Sequence, residues 1–250
     1  MMRGLLLRPS IALLTFVVGV AVALCWHKLR EPARVSIGSA PQVSQQAAQS
    51  GSLRWYAQQA RAEGKDEAEM FAMGCGVEIS SLDQALRENT VVVAEAVDKR
   101  SYPSGDYGIV TWYKFKVVET LSKRPMLKHW RRWTNPAQEL PSEMLPVRAD
   151  EFLMAEGGGT VMVEGVRVRE HYNSPQYKLS EKYLLFLQMD DANRIGFVPW
   201  SGEIGVFRLD ASGNLSAIDD EEYALKAQMS SRFGNAVERL RQYLKRYARA

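Results

Sequence analysis

The stretch 109–121, IVTWYKFKVVETL, constrains this chain more than any other. Ile109, Tyr113, Phe115 and Val117 are apolar at every second position apart from Thr111, while Lys114 and Lys116 fall between them. Period two with β-branched and aromatic residues predicts a strand with one buried face. One sheet face cannot stand alone in water, so further strands have to cover it.

Those strands are legible on both sides. Residues 90–97, TVVVAEAV, form a nearly continuous apolar run of strand length, the pattern of a strand buried on both faces. The cluster Tyr102-Pro103-Ser104-Gly105-Asp106 is a turn signal, so the two strands form a hairpin. Further on, 152–156 leads into Gly157-Gly158-Gly159. Strands at 160–163 and 166–169 flank Glu164-Gly165, and 182–189, KYLLFLQM, is the most apolar strand. Asp190-Asp191-Ala192-Asn193 turns it into 195–198, and 205–209 and 215–218 are joined by a hairpin loop at 210–214. Many short strands with turn chemistry between them predict a barrel or, alternatively, a β-sandwich.

Helices are expected before and after this region. Leu53, Tyr56, Ala60, Met70 and Phe71 supply an apolar side broken at Gly64-Lys65, which reads as two short helices. Ser81-Leu82-Asp83-Gln84 is a capping-box pattern opening a short helix that ends near Asn89. At the C-terminus, Phe233, Val237, Leu240, Leu244 and Tyr247 follow the spacing of one amphipathic helix. Its other side carries Arg232, Arg239, Arg241, Lys245, Arg246 and Arg249 against Glu238. Such a helix packs on its own domain or lies on anionic lipid.

Residues 10–26, SIALLTFVVGVAVALCW, carry no charge and sit near the length limit of about 17 residues for a spanning helix. They read as a signal anchor, or as a cleaved signal peptide with Ala21-Val22-Ala23 as the small-x-small site. Arg3 and Arg8 favour an N-in, C-out arrangement, and Lys28, Arg30 and Arg34 oppose it. Leu24 before Cys25 argues against a lipoprotein signal. Residues 31–52 are rich in Ser, Gln, Ala and Gly without apolar period and read as a flexible linker. The expected organisation is therefore an anchor or signal at 1–30, a linker at 31–52, a helical segment at 53–89, a β domain at 90–218 and a C-terminal helix at 219–250.

Few features carry chemistry. The cysteines are Cys25, in the membrane-type segment, and Cys75, so disulfides do not hold the domain together. Cys75, beside Gly74 and Gly76, reads as a small semi-buried residue or a reactive thiol. His27, His129 and His171 have no partner at metal-ligand spacing. Glu170 and His171 belong on opposite sides of a strand. Residues 157–159 join strand to strand and lack the G-K-S/T of a phosphate loop. Asp190-Asp191 and Asp219-Asp220 sit where Asp is common for backbone reasons. No catalytic, cofactor-binding or metal residue is assigned. One cluster interleaves basic and aromatic side chains: Lys123, Arg124, Lys128, Trp130, Arg131, Arg132 and Trp133. It reads as a connection pinned to the barrel, or as a surface for anionic lipid before nucleic acid. The formal net charge of +3 names no partner by itself.

The order of a hydrophobic strand, a turn, Tyr113-x-Phe115-x-Val117 with Leu121, then Gly158-Gly159-Thr160, Glu164-Gly165-Val166, residues 183–187 and Gly205-Val206-Phe207 resembles a loosely defined group of exported bacterial domains. It also resembles the OB-like barrel of netrin and metalloproteinase-inhibitor modules over 81–218. The resemblance implies an OB-like β-barrel. The inhibitors' cysteine framework is missing, so inhibition does not carry over. The expectation is a mainly β, membrane-tethered, extracytoplasmic binding or assembly module without a cofactor. It is held in the membrane by residues 10–26, or secreted if the signal is cleaved, and a protein partner fits it better than nucleic acid. Two other classes remain: a membrane-surface or polyanion-binding protein using 123–132 and 232–249, and an enzyme with an unrecognised site.

Overall fold

The computed structural model describes residues 48–72, 81–128, 140–172, 176–198, 205–218 and 224–247. The segment 10–26, Cys75, Trp130, Arg131, Arg132, Trp133 and Asp219-Asp220 lie outside them. Among the described residues no helix is long and apolar enough to cross a membrane. The account that follows concerns the unit from Ala47 to Ala250.

The constraining stretch forms β3 (Gly108–Ser122), and its hairpin partner is β2 (Thr90–Ser104), in register at Ala96↔Phe115 and Tyr102↔Val110. On the far side of β3 lies β4 (Glu151–Gly157), and on the far side of β2 lies β7 (Lys182–Asp190). The short β8 (Ile195–Phe197) pairs in parallel with β4 at Leu153↔Ile195 and antiparallel with β7 at Gln188↔Phe197. The ring β2–β3–β4–β8–β7 thus closes on itself as a five-stranded barrel, the first of the two arrangements expected, and not a sandwich. Closure removes the unpaired edges that a twisted sheet would leave. Close approach at the closing strand requires Gly196, where an added Cβ would meet the Phe152 ring at 2.9 Å. From β7 the sheet continues through β9 (Val206–Leu209) to β10 (Leu215–Ala217).

The barrel interior is aromatic. Phe115 stacks on Phe152 at 5.3 Å, and the Tyr177 ring stands edge-on to Phe115, Tyr113 and Tyr183 at 5.1, 4.9 and 5.1 Å. Tyr177 belongs to no strand; its segment, 176–181, inserts the ring among the barrel side chains. The apolar side of β3 serves two cores. Tyr113 and Phe115 line the barrel, whereas Ile109 belongs to a second core, and Thr111 stands between them. Its hydroxyl donates to Gly158 O at 2.6 Å and meets Ser101 Oγ at 2.8 Å, so the one polar position on that face is a satisfied joint. Lys114 and Lys116 lie on the opposite side, half-buried and exposed. Trp112 on that side is buried, with Met144 and Leu153, so the outer face of β3 is not solvated throughout.

Several expectations need correction. The helix α1 (Leu53–Ala62) forms, but the second expected helix, around Met70, is a strand, β1 (Glu67–Ala72). Its true period is two: Met70 is buried while Glu67, Glu69 and Phe71 are exposed. It pairs in parallel with β6 (Val166–Tyr172), which pairs with β5 (Gly159–Val163). Strands β5 and β6 therefore leave the barrel and build a separate three-stranded sheet with a strand from the supposed helical segment. Met70, Val161, Val166 and Val168 meet Leu53, Ala57 and Ala60 of α1 and Ile109 in the second core. The linker ends earlier than residue 52, because Ser52 is buried and its Oγ accepts the Trp55 N–H at 3.1 Å as the helix cap.

The capping pattern at Ser81 holds: Ser81 Oγ accepts Gln84 N–H at 3.2 Å at the start of α2 (Leu82–Glu88). The C-terminal helix is two helices, α3 (Ala224–Phe233) and α4 (Val237–Tyr247). They break at Gly234 and Asn235, both left-handed at φ 56°, residues that tolerate that conformation. Leu225, Met229, Phe233, Val237, Leu240 and Leu244 join Leu82 and Leu86 of α2 over Val93, Leu184 and Phe207. The amphipathic face of α4 is thus buried on its own domain, and Arg239, Lys245 and Arg246 stay exposed.

Candidate functional site

Barrel strands of unequal length leave a mouth where β3 runs out and β4 begins. A cavity of about 420 Å³ opens there. Its floor is apolar: Val92 and Phe152 are buried, and Val117 and Met189 half-buried. Its rim comes from three connections. Lys123 follows β3, Ala149 and Asp150 precede β4, and Asp191 and Arg194 belong to the β7–β8 turn. The size falls in the range of about 300–1,000 Å³ usual for small-ligand pockets, and an apolar floor with few polar groups is their usual composition.

The basic segment meets this mouth. The Arg124 N–H donates to Thr90 Oγ1 at 2.9 Å, and its Nε donates to Leu86 O at 3.5 Å. The Leu127 N–H donates to Gln188 Oε1 at 2.8 Å. Gln188 is only 2% exposed, and its amide nitrogen donates to Asn89 Oδ1 at 3.0 Å and to Glu88 O. Buried amides satisfied in this way fix the segment's course. Lys123 ion-pairs with Asp191 at 3.0 Å, both well exposed, a contact that solvent and salt weaken. Lys128 is exposed. Of the residues singled out in the sequence, Lys123 thus lines the barrel mouth and Arg124 is bonded beside it to Thr90, while Lys128 is exposed just beyond the anchored Leu127.

Sequence reasoning missed the rest of the rim. Arg194 occupies a left-handed backbone (φ 54°), uncommon for a residue other than glycine. Its O accepts the Leu153 N–H at 2.9 Å, and its Nη1 donates to Ala149 O at 2.6 Å. Glu151 is nearly buried, with one carboxylate oxygen accepting the Arg148 N–H at 2.9 Å. Asp150 is exposed beside it. The turn residues 190–193 were readable as a turn, and nothing in their pattern says that the next side chain overhangs a cavity.

Other polar clusters are occupied with holding the fold. A wider groove of about 1110 Å³ runs along the N-terminal end of α4. There Arg241 grips Glu119 with two parallel bonds of 2.8 and 2.6 Å and also reaches Glu238. The hydrogen bonds from Arg241 hold the Glu119 carboxyl below the usual carboxylate range, against the opposing effect of burial. Asp210 in the same groove is held low by backbone and side-chain bonds from its own turn, Asn214 first. Burial pushes the Tyr113 and Tyr183 hydroxyls up to about 12 and holds Tyr177 well above the ordinary tyrosine value, so these three stay neutral. They act as structural hydrogen-bonding groups. Glu170 and His171 do face opposite ways. Glu170 is buried and accepts the Ile109 N–H at 2.5 Å, while His171 is exposed, 3.6 Å from Glu69 and stacked on Phe71 at 4.8 Å. Among the described residues no three His, Cys, Asp or Glu side chains gather where they could hold a metal ion.

No family model, no curated protein and no solved structure matches the chain.

Proposed function

We propose that this chain is a membrane-tethered, extracytoplasmic binding module whose barrel is OB-like and whose recognition surface is the barrel mouth. Residues 10–26 serve as the anchor and the segment up to residue 47 as the tether. Support for the OB-like type comes from the ring itself. Five strands close with the last one inserted between the third and the fourth, a non-sequential order like that of a Greek-key barrel. The exported domains that the sequence resembles agree with the location.

One observation carries the functional reading: the polarity of the fold. The Leu53 N–H donates to Asp106 O at 2.8 Å, which fixes the start of α1 at the tip of the β2–β3 hairpin. The cavity lies at the other end of the fifteen-residue β3. At about 3.3 Å per residue that is roughly 45 Å of strand path. A tether entering at the tip leaves the mouth, at the far end of β3, free for a ligand or partner. A polyanion-binding role through 123–132 and 232–249 has less behind it. Lys123 is ion-paired, Arg124 is anchored to the barrel, and Arg232 and Arg241 pair with Asp83 and Glu119.

The test uses the full chain in spheroplasts, with Lys128→Cys introduced beside Cys75→Ser. A membrane-impermeant maleimide should label position 128 without permeabilisation. A fluorophore placed there should escape quenching by lipid-borne quenchers. A label that appears only after lysis, or one strongly quenched by lipid, would sink the proposal.

A further inference from the structure

We propose that the barrel mouth binds a small zwitterion with an apolar body, of the class of a free apolar α-amino acid. This deepens the binding reading above and rests on it. The argument starts from which rim charges are already engaged. Lys123 and Asp191 neutralise each other at 3.0 Å. Glu151 accepts the Arg148 N–H, with the Arg148 guanidinium 4.0 Å from its other oxygen. Two charges of opposite sign remain over the same cavity. Arg194 meets no carboxylate among the described residues; its Nη1 donates to the carbonyl of Ala149. Asp150, the next residue along, has no cation within ion-pair distance among them.

A cation and a carboxylate that face one cavity without pairing can be bridged by a ligand carrying the opposite charges. The ligand's carboxylate would meet the guanidinium, which offers a planar fork suited to it. Its ammonium would meet Asp150. Between the two, the floor of Val92, Val117, Phe152 and Met189 accepts a branched or aromatic side chain and excludes a charged one. The cavity of about 420 Å³ bounds the body to a few carbons beyond the charged centre. The left-handed Arg194 places a guanidinium at a backbone position where glycine or asparagine is at ease.

The experiment is ligand-observed saturation-transfer NMR on the full chain in detergent, with three probes: L-leucine, N-acetyl-L-leucine and L-leucinamide. The second lacks the ammonium and the third the carboxylate. L-leucine should bind, and each blocked probe should bind about tenfold more weakly, the loss of one charged hydrogen-bonding contact. Arg194→Gln should abolish the preference of L-leucine over L-leucinamide and keep that over N-acetyl-L-leucine. Asp150→Asn should do the reverse. Absence of binding by L-leucine, equal binding of all three probes, or preferences that survive both substitutions would overturn the proposal. The labelling result at position 128 involves no ligand, so it stands or falls separately from this one.

Discussion

Replacing Phe115 by alanine removes a ring that has no exposure to solvent and touches the barrel's aromatic core on several sides. An aromatic side chain of this kind buries about 150–200 Å². At about 25 cal/mol per Å² its transfer term is roughly 4–5 kcal/mol, within the 3–5 kcal/mol usual for such truncations. The stacking with Phe152 at 5.3 Å and the edge contact with Tyr177 at 5.1 Å place the expected loss at the upper end. Lys116, one residue on, is exposed on the opposite face, and Lys116→Ala should change stability by no more than about 0.5 kcal/mol. Urea unfolding followed by fluorescence of the buried Trp112 compares the two. If the m-value is unchanged, the shift in midpoint reads the difference directly. Equal costs, or a larger cost at Lys116, would mean that the alternation along β3 does not separate the inside of the barrel from the outside.

Burial raises the Glu170 carboxyl above its ordinary 4.5, and the Ile109 N–H offsets this only in part. A folded-state value above the unfolded one means stability fully present below about 4.5 and lost as pH rises through the raised value. Glu170→Gln should therefore flatten that decline and raise the melting temperature at pH 7, and a lower Tm at pH 7 would contradict it. At Gly159 (φ 134°) an added methyl would run into Thr111 Oγ1 and Ser101 Oγ. Gly159→Ala should destabilise by several kcal/mol, on the order of 3, in the same urea assay. A fragment beginning at Ala47 should melt higher than one beginning at Leu53, by the roughly 1 kcal/mol of the Ser52 cap. Equal melting would remove Ser52 from the fold.

The barrel strands were legible because local pattern and burial agree: β3 was readable from its alternation, and β2 and β7 from continuous apolar runs that are buried on both faces. The short helix at Ser81 was legible from its cap. The strand β1 was misread because Met70 and Phe71 are adjacent, and six residues are too few to tell a period of two from one of 3.6. That β5 and β6 leave the barrel is invisible locally, since their partner lies far away in the sequence. The break at Gly234-Asn235 was hidden by apolar residues that keep helical spacing across it. The barrel mouth was legible only at Lys123. Asp150, Glu151 and Arg194 converge through closure of the ring, and no spacing within one segment encodes that.

The pairing of β1 with β6 joins Glu67 to Arg167, a hundred residues further on. A chain made from its N-terminus cannot complete this joint until β6 has followed, so α1 and β1 must wait for a partner that is made long after them. They are also the first to receive any pull arriving from the chain before Leu53. Because β1 is held on one ladder by six residue pairs and the barrel by one closed ring of strands, load from that side would peel the small sheet away first. The barrel mouth, at the far end of β3, would remain intact.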